Sequence, residues 1–212
     1  MYERFFKRLF DIIFSLSVLV LFSWLYAILA ALIWIDDPGP ILFSQKRFGI
    51  HQSFFKLYKF RTMKKNTPPN IPTHLFTHSE QYITRTGRFL RRTSLDEIPQ
   101  FWNILLGNMS LIGPRPALWN QNDLIQERER YKANDVKPGL TGWAQINGRD
   151  TLKIEEKAQL DGEYAKKLHQ GGFTAFFFDC RCFGATFLPV LRGDGVQEGR
   201  AVPSDKKKGD KH

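Results

Sequence analysis

Residues 12–35 read IIFSLSVLVLFSWLYAILAALIWI, a run of 24 residues from Ile12 to Ile35 without one charged side chain. As a helix it is about 36 Å long, more than the roughly 30 Å hydrocarbon core of a bilayer. A cleaved leader has a shorter apolar stretch and a small-residue cleavage site, whereas here Trp34-Ile35-Asp36-Asp37 follows. The run therefore predicts a retained membrane segment.

Basic residues stand on both sides of it: Arg4, Lys7 and Arg8 before, then Lys46, Arg47, Lys56, Lys59 and Arg61 after. Lysine and arginine favour the cytoplasmic face, so a straight crossing strands one cluster on the wrong side. A helix that enters and returns to the same face removes the conflict. The run holds no Pro or Gly, which leaves Ser23, with Ser15 and Ser17 upstream, as the place for the break. A plain single span is the alternative.

The 212-residue chain carries 31 Lys+Arg against 21 Asp+Glu, a formal charge of +10. That excess calls for an anionic partner: nucleic acid, an acidic membrane surface or a phosphorylated small molecule. Hydrophobic residues at 42% and charged residues at 25% exclude a disordered, collagenous or polytopic membrane chain. Two cysteines, Cys180 and Cys182, exclude a disulfide framework and a four-thiolate zinc site, and read as buried thiols in a reducing compartment.

Beyond the apolar run, Asp36-Asp37-Pro38-Gly39-Pro40 is a turn signal. Two β-prone stretches, Ile41 to Phe48 and Phe54 to Phe60, predict a short hairpin bearing the second basic cluster. Asn66 to Pro72 reads as a surface loop. Ile83 to Arg92 is basic, and composition fits a membrane- or phosphate-facing segment as well as a solvated helix. Ile98, Phe101, Trp102 and Leu105 form one apolar helical face, with Pro99 in the first turn and Gly107 closing the helix. A charged helix is expected from about Leu118 to Lys132 and another from Ile154 to Leu168. Lys137 to Arg149 is rich in Gly and polar residues, more a binding loop than a core element. Phe173 to Leu191, dense in Phe, suits an interfacial amphipathic helix or a core helix equally. His74 and His78 have metal-like spacing but lack partners, so they read as loop residues.

Pro99 places Asp96 and Glu97 at or just before a helix N-terminus, where ionised carboxylates are favoured. An isolated Asp-Glu there is ordinarily capping charge. With several arginines and a Gly-rich polar loop it also suits a phosphate-bearing substrate, since Mg²⁺ takes carboxylate and phosphate oxygens together and arginine holds phosphate bidentately. An aspartate can also be the nucleophile toward phosphorus.

Six blocks carry a resemblance. They are Gly39 to Gly49 (GPILFSQKRFG), Phe55 to Met63 (FKLYKFRTM), Ser94 to Asn103 (SLDEIPQFWN), Ser110 to Pro116 (SLIGPRP), Lys137 to Arg149 (KPGLTGWAQINGR), and the pair Asp161 and Tyr164. In this order, behind an apolar anchor, the chain resembles the bacterial sugar transferase family of small monotopic phosphoglycosyl transferases from Met1 to about Val196. The family pattern has Ser-Pro at the anchor's break, where this chain has Ser23-Trp24, and it is weaker in the tail, at Gly184 and Pro189.

The resemblance implies an α+β, mainly helical fold. An N-terminal re-entrant membrane helix (1–37) precedes one small membrane-associated catalytic domain (38–196) with a short β-hairpin and amphipathic surface helices, then a basic, disordered tail (197–212). It implies transfer of a sugar 1-phosphate from a nucleotide diphosphate sugar, commonly a UDP-sugar, to undecaprenyl phosphate at the cytoplasmic face of a bacterial inner membrane, with release of UMP. Carried over by position, Asp96 is the nucleophile, and Glu97, with Asp96, is the Mg²⁺-associated carboxylate. Lys59, Arg91 and Arg115 engage phosphate, while Asn147, Arg149 and Asp161 shape the nucleotide or sugar site. Implied partners are the UDP-sugar, undecaprenyl phosphate and membrane lipid, with no nucleic acid; a homo-oligomer is compatible with this. Two other readings stay open: a glycosyltransferase that passes the sugar alone and releases UDP, and a non-enzymatic binder of anionic lipid or nucleic acid. The second gives no role to an acidic pair.

Overall fold

The apolar run does not form one straight rod. In the computed structural model, which describes residues 2–67, 79–148 and 151–192, a π-helical turn (Tyr2–Lys7) leads into α1 (Arg8–Leu21), and α2 (Ser23–Asp36) follows after a break at Phe22. Phe22 leaves helical geometry (φ −103°, ψ 14°), and the Ser23 hydroxyl donates to the Val20 carbonyl at 2.9 Å. A hydroxyl bonded back into the preceding turn is a known cause of helix bending. The two segments are bent by 62°; no single described helix is long and apolar enough to cross a membrane, and only the pair together has that length and composition.

These helices are inverted relative to a soluble protein. The buried residues of α1 are Asp11 and Ser15, while Leu16, Val20, Leu21, Trp24, Trp34 and Ile35 on the two segments are exposed. α2 turns Leu29 and Ile33 inward against Phe60 and Leu90. Three charged residues before and within α1 have partners in the rest of the chain. Lys7 forms a buried ion pair with Asp179 at 2.9 Å. Arg8 donates to the Ile104 and Leu105 carbonyls, the latter at 2.7 Å. Asp11 accepts from the Ser110 hydroxyl and the Leu111 amide, at 3.1 and 2.9 Å. Lys7 and Arg8 thus serve as docking groups, beyond the flanking charge that their sequence position suggests.

Strands β1 (Leu42–Phe48) and β2 (Phe54–Phe60) pair antiparallel as the expected hairpin, with Phe43 opposite Lys59 and Leu42 opposite Phe60. α3 (Arg85–Thr93) is capped by Thr84, whose hydroxyl oxygen accepts from Gly87 N at 2.9 Å. Gly87 passes so close to the Thr62 carbonyl that a Cβ there would meet it at 2.0 Å. Ser94, in the left-handed region (φ 57°), ends α3 and starts a 3₁₀ turn at Leu95–Glu97, which runs through Pro99 into α4 (Gln100–Leu105).

The expected inner face of α4 is rotated. Gln100, Asn103 and Ile104 are buried, while Trp102 is half exposed and Phe101 packs on Phe14 of α1. The reason is polar: Asn103 donates to the Lys56 carbonyl at 2.7 Å and accepts from the Tyr58 amide at 3.0 Å, which fixes that face on β2. The apolar face is turned toward the anchor instead.

β3 (Ser110–Ile112) pairs parallel with β4 (Gly139–Thr141). The Gly-rich stretch therefore supplies a buried strand and a short helix, α6 (Trp143–Ile146), where a loop was expected. Glycine is needed because the backbones touch: a Cβ on Gly139 would lie 2.1 Å from Gly113 N, and one on Gly142 2.1 Å from Gly113 O. Between these strands α5 is shorter than its charge pattern suggests, at Asn122–Arg130. α7 (Ile154–Gln170) and α8 (Gly172–Arg192) complete the chain. α8 satisfies both readings of its sequence: Ala175, Asp179 and Cys182 are buried, while Phe173 is 82% and Phe177 65% exposed. Cys180 is exposed, contrary to expectation, and Cys182 alone is a buried thiol. His74, His78 and the basic tail lie outside the described residues.

Asp11 gives a direct test of the docking. Asp11→Ala strands two buried donors, at a cost of about 1–3 kcal/mol each. It is expected to lower the thermal midpoint of the detergent-solubilised chain well below wild type, whereas Asp11→Asn, which keeps an acceptor, loses less. Equal midpoints for both variants and wild type would refute the role given to Asp11.

Candidate active site

The turn that carries Asp96 and Glu97 is held in a valley between β2 and the Gly113 to Pro116 turn. Lys59, near the end of β2, points its ammonium at both acids, 2.9 Å from Glu97 Oε1 and 3.7 Å from Asp96 Oδ2. The register of the hairpin and the two Asn103 bonds put Lys59 there. Arg115 follows directly from β3, with Pro114 and Pro116 fixing its backbone, and its Nη2 lies 2.7 Å from Glu97 Oε1. Arg91, in the last turn of α3, donates through Nε to the Thr62 hydroxyl at 2.9 Å and acts on the charge of Asp96.

The two neighbouring acids are therefore unlike. Burial pushes Glu97 up, but Arg115 and Lys59 outweigh it, so its carboxylate stays ionised far below the usual range. Burial dominates at Asp96; Lys59 opposes it, the neighbouring Glu97 charge adds to it, and the group is raised to about 6. Both carboxylates are largely inside the protein, with 11% and 14% of their side-chain surfaces exposed.

Beside the pair opens a cavity of about 280 Å³. Ser94, Glu97 and Arg115 form its charged end; Phe14 and Val18 from the anchor, Phe101, Leu140 and Phe183 form apolar walls. One chamber thus joins Glu97 and Arg115 to Phe14 and Val18 of α1, with Asp96 next to Glu97 but not in its lining. Its charged end suits a phosphate-bearing ligand.

Among the described residues, no group of three or more His, Cys, Asp and Glu side chains gathers as a metal site. The donor set nevertheless fits Mg²⁺, which is ordinarily held by one or two carboxylates plus substrate phosphate oxygens. Glu97 Oε1 is engaged by both cations, so a bound ion would draw on the other oxygens of Asp96 and Glu97. The charge balance agrees: three cations face two carboxylates, and an incoming diphosphate reverses the sign unless a divalent cation accompanies it.

Asp96, Glu97, Lys59, Arg91 and Arg115 are brought together. Asn147 is an exposed residue at the end of α6, its amide donating to the Trp143 carbonyl at 2.8 Å. Arg149 lies outside the described residues. Asp161 is elsewhere: it is buried between α5 and α7, where Arg128 Nε and Nη2 reach its Oδ2 at 2.8 and 2.6 Å. Tyr164, its neighbour in the motif, has its hydroxyl 2.9 Å from both the Ile112 carbonyl and Asp179, two residues of the frame behind Arg115. Sequence reasoning missed Ser94 and Gln145 as cavity residues, although both stand inside the quoted blocks.

A profile of the bacterial sugar transferase family matches residues 2–193. The chain is similar to an uncharacterized sugar transferase, EpsL, of Bacillus subtilis (strain 168), with 36% identity over 202 residues and 94% of each chain covered. It is 35% identical over 195 residues to the exopolysaccharide production protein PSS of Rhizobium leguminosarum bv. phaseoli, covering 89% of this chain and 97% of that one. It is also 39% identical over 198 residues to the UDP-glucose:undecaprenyl-phosphate glucose-1-phosphate transferase of Escherichia coli (strain K12). That match covers 90% of this chain but spans only 40% of the relative's length. A match running from the first turn of the anchor through α8, with the acidic pair and its cations inside it, has one consequence: the chain belongs to the bacterial sugar transferase family.

Proposed function

We propose that the chain transfers a sugar 1-phosphate from a UDP-sugar to undecaprenyl phosphate through a covalent intermediate on Asp96. The observation that carries this reading is the adjacency of two unlike carboxylates, Asp96 raised by burial and Glu97 held ionised by its cations, beside a cavity that Glu97 lines together with Phe14 and Val18 of the anchor. An Asp96 oxygen attacks the sugar-bearing phosphorus; an oxygen–phosphorus bond forms, the bond to the UMP phosphate breaks, and UMP leaves with the electron pair. An oxygen of the lipid phosphate then attacks the same phosphorus, breaks its bond to Asp96 and restores the free carboxylate. Lys59, Arg91 and Arg115 bind phosphate oxygens and offset the charge that develops. Mg²⁺, held by Glu97 and Asp96, supplies further neutralisation of the diphosphate when bound.

The anchor belongs to the same mechanism. The apolar exterior of α1 and α2, the bend at Phe22 and basic residues on both flanks support a re-entrant segment that keeps both ends of the chain on the cytoplasmic face of a bacterial inner membrane. Withdrawing a polyprenyl tail from lipid costs about 0.8 kcal/mol per CH₂, so the enzyme comes to the acceptor's headgroup instead. Relatives named as glucose- and galactose-phosphate transferases acting on undecaprenyl phosphate support the acceptor and the donor class, and the name of the Rhizobium relative supports a role in surface polysaccharide production.

Asp96→Asn is expected to abolish release of UMP from UDP-sugar while raising stability. The fold raises the pKa of Asp96 above its ordinary value, so the ionised group destabilises the native state above about pH 6. That burden is relieved as the pH falls toward the ordinary value of about 4. Removing the charge should gain about 1–3 kcal/mol at neutral pH, read by denaturant unfolding in detergent. Normal turnover by this variant refutes the covalent route, and release of UDP in place of UMP points to the ordinary glycosyltransferase.

Because attack needs the anion, turnover of the wild type should fall as the pH drops through about 6. In Lys59→Met the acid limb should move upward by about one pH unit, since a nearby cation is lost. An unmoved limb argues against Asp96 as the titrating group.

Topology is checked with a reporter cysteine placed ahead of Met1 in a Cys180→Ser, Cys182→Ala background. Membrane-impermeant maleimide applied from the periplasmic side should leave it unlabelled. Labelling there establishes a plain span.

A further inference from the structure

Among the cavity's side chains to which the steps above give no task, one amide stands out. Gln145, on α6, lines it together with Ser94, Glu97 and Arg115. Both its Oε1 and its Nε2 are buried, and neither has a hydrogen-bond partner among the described residues. The nearby hydroxyls are different: Thr141 and Thr186 lie 2.8 Å apart, and Thr186 is also 2.8 Å from the Cys182 carbonyl. Gln145 Oε1 sits over Gly142, 3.1 Å from where a Cβ would stand, so a side chain there would crowd the amide.

A buried amide with two open atoms specifies the chemistry of what completes it, because the great majority of buried polar groups in folded proteins are paired. Phosphate and diphosphate only accept hydrogen bonds; they serve Nε2 but leave Oε1 unpaired against negative charge. An isoprenyl chain serves neither atom. A hydroxyl both donates and accepts, and two vicinal hydroxyls match the planar carboxamide. The transferred sugar carries them, as does the ribose of the nucleotide; the sugar is the one whose phosphate is the reacting group. We propose that Gln145 is a specificity-determining residue that reads a hydroxyl of the transferred sugar, and that the cavity seats that sugar during transfer. A volume of about 280 Å³ places it at the small end of ligand sites. This rests on the sugar-phosphate transfer proposed above.

The test uses the full chain in detergent with a short-chain polyprenyl phosphate. UMP release is followed for UDP-glucose, UDP-galactose and the monodeoxy analogues of each. Failure of the wild type to release UMP from any donor defeats the transfer reading and the sugar assignment with it. Given turnover, deletion of one particular hydroxyl should lower wild-type kcat/KM by about tenfold or more, since a site built to bond a hydroxyl rejects the analogue that lacks it. Gln145→Leu should lose a similar factor on the complete sugar and no longer distinguish it from that analogue, with the acceptor KM unchanged. Gln145→Glu, which keeps an acceptor but loses the donor, should fall between. The melting temperature of Gln145→Leu should be no lower than wild type, because two unpaired polar atoms leave a largely apolar cavity. Three results overturn the assignment: wild-type discrimination retained by Gln145→Leu, an equal loss on every donor, or a change confined to the acceptor KM. An equal loss with a lowered melting temperature identifies Gln145 as a packing residue.

Discussion

Two adjacent carboxylates inside a protein repel each other and resist losing water, and they can stay only where cations converge on them. At the turn after α3, Lys59 and Arg115 do so from opposite sides, one on a hairpin and one on a rigid turn. Much of the remaining architecture serves to bring these two side chains to one place. The hairpin register and the Asn103 bonds set the first. The parallel β3–β4 pair, packed so tightly that Gly113, Gly139 and Gly142 leave no space for a side chain, sets the second. A shift in either element opens the clamp on Glu97 and leaves buried negative charge without its partners.

The anchor is tied to the same frame. Asp11 bonds to β3, which leads into the Arg115 turn; Arg8 bonds to the end of α4, which begins beyond the acidic pair. Lys7 closes on Asp179, whose other oxygen lies beside Tyr164, and Tyr164 reaches the Ile112 carbonyl. The apolar N-terminal helices and the frame around the acidic pair are thus one packed body at these points. Lys7, Arg8 and Asp11 face inward onto partners, while Leu16, Val20, Leu21, Trp24, Trp34 and Ile35 face outward.

Features set by local chemistry could be read directly from the chain. The hairpin follows from two β-prone runs around a turn, and its bounds are matched within a residue. Pro99 placed the acidic pair just ahead of a helix, and Ser23 marked the bend one residue from where it falls. What eluded the reading depends on long-range partners. The inner face of α4 is chosen by Asn103 bonding to a strand more than forty residues away, against the apolar period. The strand in the Gly-rich stretch exists because Gly113 lies against it. Asp161, placed by resemblance at the sugar or nucleotide, sits in a buried pair with Arg128, a contact that spacing cannot reveal. The cations on the acidic pair were found because they lie inside motifs; Gln145 lies inside one too, but only the cavity shows that its amide is unpaired.

The geometry also bears on which acid attacks. Glu97 takes the short contacts, 2.9 Å to Lys59 and 2.7 Å to Arg115, on a single oxygen. Its charge is dispersed into those bonds, and it is a poor nucleophile for the same reason that it is a strong acid. Asp96 meets Lys59 at 3.7 Å and feels the charges of Arg91 and Arg115, but burial beside the Glu97 anion outweighs them. A carboxylate in that setting is more basic, and its lone pairs are less committed. Pairs of titratable groups whose surroundings drive them apart divide the labour of a reaction in this way. The two cations therefore do unequal things to the two acids. By neutralising Glu97 they hold it as a fixed anion, and they leave Asp96 the more basic of the two acids.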